Sequence, residues 1–263
     1  MLKKYLKIYR VFINNSISYL AQYRKDAWMN LILNFLWLGM IFTIIEVIFG
    51  QTNSIADWSK PEVYFLAIIW VLSDELFILF FGKNLEMISN IITEGRLDWL
   101  LTKPANKLFL ISTYRLNIQA FYRFVIEFFI LLWLVWHFDF TISIFHIILV
   151  IPLIAMGILI NYSFLLILNT LSFWFFRIDN INYLYYSLST VGKYPLSVLP
   201  KTVRVLVFTI IPIAFQAYVP VATLTGRFPW YLILYAFIFA IILFIIAIKF
   251  WSFALKRYSS ASS

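Results

Sequence analysis

Apolar residues gather in five long runs, at 27–49, 63–81, 117–136, 144–175 and 231–251. Each is close to or above the roughly 20 residues that a helix needs to cross a bilayer core. Ahead of them, residues 1–26 alternate with a helical period. Leu2, Tyr5, Leu6, Tyr9, Phe12, Ile13, Ile17 and Leu20 fall on one side, and Lys3, Lys7, Arg10, Asn14 and Ser18 on the other. That pattern predicts a basic amphipathic helix lying in the membrane interface, followed by one membrane domain over 27–263. Between the fourth and last runs, hydropathy marks 203–219 as a further crossing. Against this, Pro195, Pro200, Pro212 and Pro220 cut the segment into pieces too short to cross singly. The stretch 179–229 therefore holds either a broken fifth span or a less apolar span at 182–194 followed by a re-entrant hairpin.

Composition agrees with an all-α, polytopic membrane protein. Hydrophobic residues make up 63% of the 263 and charged residues only 13%, far from the balance of a soluble domain. The net charge of +9 does not indicate nucleic acid, because the basic residues stand at the ends of apolar runs rather than on one solvated face. Their placement reads as topology instead. Lys3, Lys4, Lys7, Arg10, Arg24 and Lys25 precede the first run, whereas 50–62 holds Lys60 alone and 137–143 holds no Lys or Arg. Arg177 fits an internal turn, and Lys249, Lys256 and Arg257 lie at the end of the last run. Both termini are therefore expected in the cytoplasm, and six crossings satisfy the parity. The first run is too long for a signal-peptide core. With no cysteine, and with His137 and His146 accompanied only by Asp139, neither thiol chemistry nor a metal site is expected.

The longest polar interval, 82–115, is far longer than a turn requires. Within it, 84–93 places Leu85, Ile88, Ile91 and Ile92 at helical spacing, with Gly95 positioned to end the element. Leu97, Trp99, Leu100 and Leu101 then form a second apolar cluster before Pro104. This predicts two short elements along the membrane face, resting in the headgroup layer or docking a soluble partner. The order Gly95, Arg96, Leu97, Asp98, then Leu100-Leu101 and Lys103-Pro104, after two runs and before a third, resembles the first cytoplasmic loop of ATP-binding-cassette exporter permeases of the type-2 class. Tyr194-Pro195 and Pro212 are weaker echoes. The resemblance implies that this loop is the coupling helix gripped by an ATPase subunit, with Glu94, Arg96 and Asp98 fixing orientation and Leu97, Trp99, Leu100 and Leu101 seated in its groove. It also implies two cytoplasmic ATPase copies, a second permease subunit, the bacterial cytoplasmic membrane, and the re-entrant version of 179–229. ATP and Mg would be used by the partner, with no cofactor on this chain.

The chain carries no phosphate-binding loop of its own. Gly82-Lys83 and Gly192-Lys193 supply the Gly-Lys pair, but Phe77 and Ser187 stand where the earlier glycine is required. No nucleophile elbow or metalloprotease motif is present either, so catalysis within this chain is not expected. Charges also interrupt apolar runs: Glu46 near the outer end of the first, where it is expected to be interfacial, and, deeper, Asp74 and Glu75 in the second and Arg123 and Glu127 in the third. Arg123 and Glu127 are four residues apart and expected to pair on one helix face. Such charges are structural pairs, line a path, or relay protons. The last option keeps a stand-alone proton-coupled carrier or channel as the alternative function.

Overall fold

The computed structural model describes residues 2–140, 143–175, 179–227 and 230–258. Arg177 lies outside them. Among the described residues the secondary structure is helical, apart from one isolated bridge between Ile55 and Trp58. The amphipathic helix α1 (Leu2–Gln22) is followed by α2 (Arg24–Phe49), and α3 (Lys60–Phe77) returns in the opposite direction. One end of the bundle carries residues 50–59 and is called distal here; the other, proximal, end carries 94–106.

The second crossing does not stop where hydropathy falls. A π-helical turn at Ile78–Gly82 joins α3 to α4 (Lys83–Thr93), giving one element of 34 residues, Lys60–Thr93. At 1.5 Å per residue that is about 51 Å, against about 30 Å of hydrocarbon. The amphipathic segment expected as a separate element on the membrane face is instead the projecting end of this helix. Its apolar stripe finds partners inside the protein, which an isolated short helix would lack. The wide turn leaves the Leu79 carbonyl free to accept from Asn117 N at 3.0 Å. Asn84 then clamps Arg115, donating to its carbonyl at 2.7 Å and accepting from its amide at 2.9 Å. As expected, Gly95 ends α4, with φ of 70° and its amide bonded to Ile92 O.

After α5 (Leu97–Leu101) and α6 (Lys107–Thr113), α7 (Ile118–His137) runs to the distal end and α8 (Ile144–Thr170) returns. The α1 helix lies along the connection to α7. Lys4 donates to Pro104 O, Ser16 Oγ accepts from Leu116 N at 3.0 Å, and the rings of Tyr5 and Phe109 meet edge-on.

Contacts trace the path of residues 179–227. The helix α9 (Asp179–Ser189) begins beside the proximal end of α8, where Asn182 and Asn169 exchange hydrogen bonds at 2.9 and 3.0 Å. The chain ahead of α10 (Lys201–Thr209) reaches the distal loop, where Ser197 Oγ meets Ala56 O at 3.5 Å. Residues 182–197 therefore traverse the bundle. From there α10 and α11 (Tyr218–Leu224) form a pair bent by 79°. Its tip at Phe215–Gln216 touches Gly157 and Asp74, and its exit is tied by Arg227 to Glu62 near the start of α3. This hairpin leaves from and returns to the distal end, penetrating about 18 Å, the twelve-residue rise from Glu62 to Asp74. Finally α12 (Trp230–Lys256) descends to the proximal end, where Trp251 packs against Phe173. The first and last described residues thus lie at the same end of the bundle.

Candidate functional site

At the proximal end, α4, α5 and α6 share one apolar cluster with the ends of α8 and α12. Leu85, Ile88, Leu97, Leu100, Leu110, Ile111, Leu165 and Trp251 are all buried in it. Leu97 is 0% and Leu100 3% exposed. Those two were expected to seat in a partner's groove, yet they point into the chain's own core. A five-residue helix has one apolar face to spend, and α4 and α6 claim it. What projects outward is Trp99, 51% exposed, with Glu94, Arg96, Lys103 and Pro104 also exposed and Leu101 half-buried. Arg96 Nε meets Glu94 Oε2 at 2.6 Å with both side chains more than half exposed, and Lys103 Nζ lies 5.1 Å above the Trp99 ring.

The base beneath this rim is fixed by backbone-directed contacts. Lys107 Nζ donates to the carbonyls of Leu101 at 2.6 Å and Lys103 at 2.5 Å, closing the C-terminus of α5 with a cation. Asp98 stands beside Tyr258 beyond the last helix; burial and the Asp98 carboxylate hold that phenol above its usual range. A cleft of about 310 Å³ opens between α4 and Tyr114, with Arg96 and Trp99 on one lip and Met87 and Ile91 on its walls. The arrangement is a rigid platform with an exposed indole and paired charges at its edge, suited to grip by a soluble partner.

A second constellation lies inside the bundle. Arg123 and Glu127 do not pair with each other as their spacing predicted. Arg123 instead spans from α7 to α3 and takes both oxygens of Glu75, Nε at 2.6 Å and Nη2 at 2.7 Å. The planar guanidinium fits a carboxylate presented edge-on by another helix better than one displaced along its own axis. Glu127, 0% exposed, accepts from Asn34 Nδ2 of α2 at 3.2 Å. Asp74 accepts from Gln216 Nε2 at the hairpin tip, also at 3.2 Å. The four charges thus bind α2, α3, α7 and the hairpin together.

Sequence reasoning passed over Asn34, Gln216 and Gly157. Asparagine and glutamine within apolar runs are the signal that would have found the first two, since a buried amide demands a partner.

A family model described as ABC-2 family transporter protein matches residues 35–262. The chain belongs to that family. It is accordingly a transmembrane permease of the ABC transport type, and the family supports an association with an ABC ATPase in general. No curated protein matches the chain. The matched region of this ABC-2 permease begins inside α2, leaving α1 outside it, and includes the proximal platform together with Asp74, Glu75, Arg123 and Glu127.

Proposed function

We propose that this ABC-2 permease is the membrane subunit of an ATP-driven exporter. A separate ATPase, present as two copies on a permease pair, grips the face formed by Glu94, Arg96, Trp99 and Lys103. The observation that carries this reading is the exposed rim on a base that is an extension of the central helix. Force applied at α5 passes through the cluster around Leu97 and Leu100 into Lys60–Thr93, and from Asp74 to the hairpin through Gln216. ATP-driven closure of the two ATPases would tilt α3 and shift the hairpin tip, opening a path outward. In this reading the proximal end is cytoplasmic, 182–197 is the fifth of six crossings, and 201–227 is a re-entrant hairpin from the outer side of a bacterial cytoplasmic membrane. The α1 helix lies in the inner interface with its lysines toward anionic headgroups.

The test is purification of the tagged chain from its own membrane in mild detergent, with identification of co-purifying chains and their ATPase activity. Because Leu100 is buried, the informative variant is Trp99→Asp, which alters the exposed rim and spares the core. A stoichiometric ATPase lost in Trp99→Asp is the expected result. Purified chain without any nucleotide-binding partner would shift the function to a proton-coupled carrier, with Glu127 as the first group to neutralise.

A further inference from the structure

Lys193 closes the short 3-10 turn after α9 and is 6% exposed. Among the described residues no carboxylate forms an ion pair with it. Its ammonium instead rests 4.7 Å from the centroid of Trp37 on α2 and 5.4 Å from that of Tyr194. Two independent positions give its depth. Trp37 precedes the distal end of α2 by twelve residues, about 18 Å. The neighbouring Gly192 packs on Trp70, where a Cβ would lie 3.1 Å from the indole, and Trp70 is ten residues into α3, about 15 Å from its distal end. Both place the cation near the middle of a core about 30 Å thick.

A lysine near a span end reaches the interface with its own length; one at mid-depth does not. Two aromatic faces offset part of the cost of a cation there, through their quadrupoles, but leave its net charge unanswered. An anionic group entering from the lipid side would answer it directly. Trp37 is itself 44% exposed, so the ammonium is one ring away from the outer face of α2. Around that ring Leu33, Leu36 and Met40 are exposed. They offer an apolar track, and the polar residue beside them, Asn34, is already engaged with Glu127, which suits an amphiphile rather than a small hydrated anion.

We propose that Lys193 receives the anionic group of an amphipathic cargo, with Trp37 as a displaceable cover and the apolar tail along Leu33, Leu36 and Met40. This rests on the permease reading and names the class of molecule moved. Released from the ring, the ammonium gains a charge-assisted contact that is stronger in low dielectric than in water.

The test uses the full chain in dodecyl maltoside, a neutral amphiphile, with dodecyl phosphate as probe and native mass spectrometry counting retained adducts. Expected is one dodecyl phosphate per chain, retained by Lys193→Arg and weakened about tenfold, or 1.4 kcal/mol, in Lys193→Gln. Inorganic phosphate should give no adduct. Should Lys193→Gln fail to stay monodisperse, Trp37→Leu decides the matter. With the cation uncovered, affinity for dodecyl phosphate should rise severalfold. Equal binding by wild type and Lys193→Gln, inorganic phosphate held as well as dodecyl phosphate, or unchanged or weaker binding by Trp37→Leu would each overturn the proposal. None of these measurements involves an ATPase, so such a result leaves the exporter reading to its own co-purification test.

Discussion

The helix Lys60–Thr93 has two halves that treat charge in opposite ways. Before the π-turn, Glu62, Asp74 and Glu75 are turned into the bundle and answered by Arg227, Gln216 and Arg123. Beyond it, Lys83 and Glu86 are exposed while Leu85, Ile88 and Ile92 turn inward. The first half behaves as a helix in hydrocarbon, where the outside is apolar and every charge must be satisfied within. The second behaves as a helix in water, with apolar stripe in and charges out. In the proposed reading the turn at Ile78–Gly82 marks the change of solvent. Seventy-eight per cent of the apolar stretch of this helix is buried, against 17% for those of α2, α7 and α12. It is therefore the axle of the fold, and a perturbation of either half is expected to read out differently.

The largest effect should come where the inner half receives the hairpin. A Cβ added at Gly157 would lie 2.4 Å from the Phe215 carbonyl oxygen, against backbone that has nowhere to retreat. Gly157→Val should lose about 3 kcal/mol or more through overpacking and release the tip from Asp74. Thermal denaturation in detergent, with protease access to 201–227, checks this. Wild-type stability would mean that the hairpin does not seat on α8.

Next is the Arg123–Glu75 pair, whose side chains are 13% and 7% exposed. Glu75→Ala leaves a buried guanidinium without its carboxylate and should cost about 3–5 kcal/mol. The double variant Glu75→Leu with Arg123→Met removes both charges and should recover most of that loss. Recovery of stability without recovery of transport would show that the pair serves the mechanism. If Glu75→Ala is neutral, the inner half is not dry, and the contrast between the two halves fails.

The sequence made these four charges visible because a charge in an apolar run has no other explanation than a partner or a function. It did not reveal the partners. Gln216 lies 142 positions from Asp74 and Asn34 93 from Glu127, separations across which local periodicity carries no information. The inward turn of Leu97 and Leu100 was hidden for another reason: five residues are too few for a stripe to have a measurable direction. Gly157 sits in a helix with apolar residues on every side, and Asn161, one turn further on, was the cue its run offered to a buried face. Proline spacing, by contrast, correctly broke 195–220, where α10 and α11 form a pair bent by 79°.

The smallest expected effect on stability is at the outermost charges, and that smallness is what makes it useful. Glu94 and Arg96 meet at 2.6 Å but are 56% and 54% exposed, so solvent and salt screen them and their mutual attraction is worth at most about 1 kcal/mol. The swap Glu94→Arg with Arg96→Glu keeps the pair and should leave the denaturation temperature within about a degree or two of wild type. If the platform is a docking face, its pattern of charge has nevertheless been inverted, and rim charges govern the rate and salt dependence of association more than its strength. ATPase binding should therefore slow severalfold at low salt and converge on wild type as ionic strength rises. A swap that destabilises the chain would place these residues with the inner half, as part of the fold. A swap silent in both stability and association would leave Trp99 and the cleft beside Tyr114 to carry recognition, by apolar contact alone.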